Sequence, residues 1–135
     1  MNLAPADRLE ILDVITRADS AASRRDADAY TALFTDDAVL DGTQGRHSGR
    51  ETLRASVGPI WAAEGPASLH LTLNPAIEPD PGGDEQAIAR SVLLIVDPVA
   101  PITIRTAAVI TQTLRRTDGS WRISRRIVAA APDRL

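Results

Sequence analysis

Arg25-Asp26-Ala27-Asp28-Ala29-Tyr30-Thr31-Ala32-Leu33-Phe34-Thr35-Asp36-Asp37-Ala38-Val39-Leu40 reads as a short helix running straight into an aspartate-rich turn and a strand. Asp26 suits the N-cap, where a carboxylate accepts backbone N–H groups that have no partner inside the helix. Tyr30, Leu33 and Phe34 form the apolar face of that helix, and Asp36-Asp37 ends it. Residues 38–41 then make a short strand that ends on Asp41.

Upstream, the pattern predicts a longer helix over 5–24. Pro5 suits its first turn, and Asp7 and Glu10 sit favourably near the positive end of its dipole. Ile11, Ile15, Ala18 and Ala22 recur at helical spacing and give one buried stripe. Downstream, residues 42–49 read as a glycine-rich turn carrying Arg46 and His47. A third helix over 50–63 follows, with Leu53, Val57, Ile60 and Trp61 along one side, and Gly65-Pro66 stops it.

From Ala67 the periodicity changes to that of strands, expected over 69–78, 87–96, 102–116 and 121–130. Pro79-Asp80-Pro81-Gly82-Gly83, Asp97-Pro98 and Thr117-Asp118-Gly119-Ser120 are the turns between them. Helices first and a long meander afterwards predict an α+β fold, its helices covering one face of a curved antiparallel sheet. The chain has 135 residues, near the common size of one domain, so residues 1–135 are taken as one unit.

Composition narrows the function classes. A net charge of −3 argues against a nucleic-acid partner, which would call for a basic surface. The absence of cysteine rules out disulfides and thiolate metal sites. His47 and His70 are too far apart for a usual metal-ligand spacing, and with no phosphate loop or dinucleotide fingerprint either, no metal or other cofactor is expected. No apolar run approaches the ~20 residues that span a bilayer. The first eight residues lack the features of a signal peptide, so a soluble cytoplasmic protein without membrane partners is expected.

The order of these elements resembles the SnoaL-like domains of the nuclear transport factor 2-like superfamily over nearly the whole chain. Four local matches carry the resemblance: Asp26 to Val39, Gly49-Arg50-Glu51, Leu69-His70 through Asn74, and Asp118-Gly119-Ser120-Trp121. It implies a cone-shaped sheet against three N-terminal helices, enclosing a pocket. That family includes isomerases, dehydratases, cyclases and hydrolases as well as proteins that only bind. It also implies a homodimer through the outer sheet face, to which Thr103, Arg105, Val109 and Thr111 are assigned.

Laid on its better-known enzymes, the chain departs from each. Where scytalone dehydratase has an aspartate this chain has Ser23, a candidate substrate contact, and the histidine pairing with that aspartate has no counterpart. The ketosteroid isomerase tyrosine falls on Ala18, its base on Gly42 and its acidic donor on Gln112. His70 matches a pocket histidine and is the first catalytic candidate, because imidazole gives and takes protons near neutrality. On its strand His70, Thr72 and Asn74 share one face.

Asp41, at the end of a pocket-wall strand, is the second catalytic candidate, with a loop-capping role as the alternative. Gln112 interrupts an apolar face formed by Ile102, Ile104, Ala108, Ile110 and Leu114, and a buried amide there needs partners in the protein or on a ligand. Arg125 interrupts the last strand in the same way, unless a bulge turns it outward. Asn74 and Trp61 complete the substrate-contact candidates, core packing being the alternative for Trp61. The expectation is a cofactor-independent isomerase, dehydratase or cyclase acting by proton transfer on an apolar, oxygenated, polyketide- or terpenoid-like molecule. A non-catalytic ligand-binding module and an epoxide hydrolase relative are the alternatives.

Overall fold

The computed structural model describes residues 2–83 and 85–130, so Asp84 and the two ends of the chain lie outside the description. Three helices, α1 (Pro5–Ser23), α2 (Ala27–Thr31) and α3 (Arg50–Ala63), pack on a six-stranded sheet. The strands are β1 (Phe34–Gly42), β2 (Gly45–Ser48), β3 (Leu69–Pro79), β4 (Gln86–Asp97), β5 (Thr103–Thr117) and β6 (Ser120–Ala130). Their order is β2-β1-β6-β5-β4-β3. All neighbours run antiparallel except β1 and β6, which pair in parallel because the helices return the chain to the far edge of the sheet.

Two local expectations need correction. Phe34 opens β1 rather than closing α2, and residues 45–48 form a strand that pairs back on β1. Phe34 is apolar under either assignment, and its tertiary pairing with Ile123 settles that the strand takes it, while Leu33 stays in the turn between. Phe34 is fully buried in the main core, between the Ile11, Val14, Ile15 stripe of α1, Leu53 and Val57 of α3, and Trp121 and Ile123 of β6.

Strand β3 is a sheet edge, and its unpaired backbone donors must be satisfied or exposed. Helix α1 supplies the acceptors. Ser23 Oγ accepts the His70 N–H at 3.0 Å, and Asp19 Oδ2 accepts the Thr72 N–H at 2.8 Å. The spacing explains the fit: four residues of helix rise about 6 Å, and two residues of strand about 6.6 Å. Positions 19 and 23 therefore meet positions 72 and 70, and the register of His70 is tied to the end of α1.

Two bulges reset which side chains face the concave side. Thr106 pairs with Ile95 but Ile104 with Val96, so β5 carries one extra residue. Thr113 pairs with Arg125 but Leu114 with Ile123, so Ser124 is extra in β6. A bulge shifts alternation by one residue. Arg125 accordingly turns out to solvent while Arg126 is buried, and Ile104, expected inside, is 62% exposed. Arg105, expected on the outer face, turns to the concave side.

Candidate functional site

Between α3, the β1–β2 turn and the concave sheet face lies a cavity of about 290 Å³. Leu40, Val57, Ile60, Trp61, Leu93, Ile95 and Val128 give it apolar walls, and Glu64, His70, Arg105 and Arg126 bring charge or titrating groups to it. The volume is at the small end of ligand sites, which run from ~300 to 1,000 Å³. It suits a compact molecule of one or two rings.

His70 faces Glu64. Its Nε2 lies 3.1 Å from Glu64 Oε2, and the two side chains are only 8% and 12% exposed. Both atoms are buried, and neither makes a hydrogen bond of good angular geometry with any described group, so the contact is one of distance more than of alignment. Glu64 is the C-cap of α3, and the next residue is clamped: Arg25 Nη2 donates to the Gly65 carbonyl at 2.6 Å and to Ser68 Oγ at 2.7 Å. His70 is set by Ser23, the last residue of α1, and the residue after Glu64 by Arg25, in the turn that follows that helix.

A second polar group lines the same cavity. Arg126 Nη1 donates to Tyr30 Oη at 3.1 Å, and Nη2 lies 3.5 Å from Asp19 Oδ1. Thr72 Oγ1 donates to the same carboxylate oxygen at 3.1 Å. Tyr30 packs edge-on to Trp61, with ring centroids 5.2 Å apart. Burial pushes the Tyr30 phenol above its ordinary value, although the Arg126 charge pulls the other way. The phenol therefore keeps its proton, and because its oxygen already accepts from Arg126, that proton is free to be donated elsewhere.

The residues singled out from the sequence divide. His70 and Trp61 line the cavity. Ser23 does not, but its hydroxyl holds the His70 backbone, so its role is positional. Asp41 is not brought to the cavity: Leu40 and Gly42 line it, and the two-residue period of β1 sends the side chain between them to the other face. Asn74 is exposed at φ +56°, in the irregularity between Leu73 and Ala76 that ends the alternation begun by His70 and Thr72. Gln112 is fully buried and pairs in register with Arg126, yet it lies outside the cavity lining, and neither end of its amide has a partner among the described residues.

Glu64, Asp19 and Arg126 were not singled out, and Tyr30 was read as part of an apolar helix face. Glu64 carried a usable signal, because an acid at a helix C-terminus opposes the helix dipole and such local conflicts mark functional positions. Arg126 carried none, since only the bulge at Ser124 makes it the inward residue. Arg126 has a single carboxylate, Asp19, within ion-pair distance among the described residues, so the Asp–Arg–Asp arrangement of epoxide hydrolysis is not assembled there.

With this geometry in view, the family model for the SnoaL-like domain matches residues 4–127. The chain belongs to the SnoaL-like domain family. Solved structures agree on the fold. A protein of unknown function with a cystatin-like fold from Nostoc punctiforme is 25% identical, with 98% of this chain and 97% of that one covered and a TM-score of 0.87. Aln2 from a Streptomyces species is 16% identical over 96% and 94%, with a TM-score of 0.84. ActVI-ORFA from Streptomyces coelicolor is 19% identical over 92% and 97%, with a TM-score of 0.80. No curated protein is detectably similar in sequence. Among the described residues, no helix of this SnoaL-like domain is long and apolar enough to cross a membrane.

Proposed function

We propose that this SnoaL-like domain is a cofactor-independent enzyme that moves protons on a small, apolar, oxygenated molecule of polyketide- or terpenoid-like type. Isomerisation, dehydration and cyclisation all fit. One observation carries the reading: a buried imidazole–carboxylate pair, His70 and Glu64, opens on an apolar-walled cavity. The Glu64 carboxylate, 3.1 Å from Nε2, favours the imidazolium that forms when Nδ1 takes a proton from carbon. The Tyr30 phenol, polarised by Arg126, donates to the substrate oxygen on which enolate charge develops.

The test uses a panel of mono- and bicyclic ketones in deuterated water, with mass spectrometry following α-carbon exchange. Wild-type protein is expected to accelerate exchange on at least one ketone, and His70→Ala to abolish it. Absence of exchange throughout, with a ligand that co-purifies unchanged and binds His70→Ala equally well, would instead make the protein a binding module.

We infer as well that the outer sheet face joins two copies. Leu69, Leu71 and Leu73, on the side of β3 opposite His70, are 40%, 41% and 38% exposed. They pair in register with Val96, Leu94 and Val92, and Ile104 and Val109 extend the patch across β5. A contiguous exposed apolar face of this kind marks an interface. Light scattering at micromolar concentration should give a dimer, and Leu71→Arg a monomer. A monomeric wild type sinks the inference.

A further inference from the structure

The acidic, basic and histidine side chains that line the cavity are unequally committed. Glu64 and His70 face each other, and Arg126 is held by Tyr30 and Asp19. Arg105 is different. Among the described residues its guanidinium makes no hydrogen bond, and the only carboxylate within reach, Asp97, stands 3.9 Å from Nη1, at the limit of an ion pair. The β5 bulge is what brings it in: the extra residue places Arg105 and Thr106 side by side on the cavity lining instead of on opposite faces. Gly65, at φ +107°, forms the surface beneath it, where an added Cβ would lie 3.5 Å from Arg105 Nε. The Arg105 side chain is 45% exposed, so it sits at the mouth of the cavity.

Glu64 is the one carboxylate of the lining, Asp19 balances Arg126, and Asp97 stands only at the limit of an ion pair, so Arg105 is the least compensated cation at the cavity among the described residues. A guanidinium without a close partner at the mouth of a recess attracts anions. Resting on the cavity reading above, and going one step beyond it, we propose that the ligand is a carboxylic acid: an apolar ring body lies inside, and its carboxylate is held at the mouth by Arg105 and the Thr106 hydroxyl. The guanidinium fork matches a carboxylate with two parallel hydrogen bonds. Arg126 is a poorer anchor, because a carboxylate there would be stripped of water entirely, beside a charge already paired with Asp19. A phosphate dianion calls for more cations than one arginine at the mouth.

The experiment is calorimetric titration with 1-naphthylacetate and its neutral match, 1-naphthylacetamide, on wild type, Arg105→Ala and Arg105→Lys. Wild type is expected to bind the acid about tenfold more tightly than the amide, the size of one charge-assisted contact. The preference should narrow as salt is raised. Arg105→Ala should lose it by weakening the acid alone, the unchanged amide affinity reporting an intact cavity, and Arg105→Lys should keep part of it. Equal binding of acid and amide to wild type overturns the carboxylate proposal and leaves the catalytic reading standing. A preference that survives in Arg105→Ala also overturns it, by assigning the charge to Arg126. Failure of both probes to bind wild type overturns this proposal and the cavity reading together.

Discussion

Replacing Glu64 by glutamine is expected to lower proton-transfer turnover by about 10²- to 10⁴-fold, the usual worth of a positioned acid–base group. The substitution keeps the shape of the side chain and removes the charge that, in this mechanism, supports the imidazolium form of His70. His70→Ala should cost a similar factor, and the double variant hardly more, since residues acting as one unit are far from additive. Stability should move the other way. Glu64 stands 12% exposed at the C-terminal end of α3, where negative charge opposes the helix dipole, so its neutralisation is expected to raise stability by a few tenths of a kcal/mol. Ketone exchange rates and a urea titration on the same samples check both signs. Full turnover in Glu64→Gln would reduce the pair to a structural contact and remove the mechanism.

The largest expected loss of stability is at Asp19, the partner of the arginine behind Tyr30. Its carboxylate faces Arg126, accepts the Thr72 hydroxyl, and accepts the Thr72 backbone N–H at 2.8 Å. Asp19→Ala leaves a guanidinium only 4% exposed without a counter-charge, which costs about 3–5 kcal/mol. The Arg126–Asp19 separation of 3.5 Å argues for the lower end of that range. Urea denaturation should show it, and pairing the change with Arg126→Met should recover much of the loss, because an apolar side chain there needs no partner. If the double variant is no more stable than Asp19→Ala, the cost comes from the untied edge of β3 and not from the buried charge. A loss below about 1 kcal/mol in Asp19→Ala would contradict both accounts.

The helices show why most of the fold was legible. Stripes at helical spacing, Pro5 at one end and Gly65-Pro66 at the other place α1 and α3 within a residue of where they stand. Those signals are local, and local signals survive folding when burial agrees with them. Phe34 is the counter-example: its apolar character fits a helix face or a strand, and pairing with Ile123 on a strand ~90 residues away chose the strand.

The site was legible only in part, for a geometric reason. Alternation along a strand assigns each side chain to a face only while the ladder is regular. His70 lies before the irregularity in β3, and its assignment to the concave face stands. Asn74 lies within that irregularity and leaves the face; Arg105 and Arg126 lie at or beyond bulges and join it. Asp41 fails for another reason, since nothing local to residues 38–41 says which face of β1 the cavity takes.

The amino-acid sequence by itself determined the α+β architecture, the family and one catalytic candidate, His70, because periodicity, turn residues and charge act over a few positions at a time. The tertiary structure alone decided what His70 meets. Glu64 comes from the end of another helix, Ser23 at the end of α1 and Arg25 in the turn after it hold the neighbouring backbone, and two single-residue bulges select which arginines face the cavity. Each of these depends on the register between distant segments, a property of the packed chain that no stretch of it carries alone.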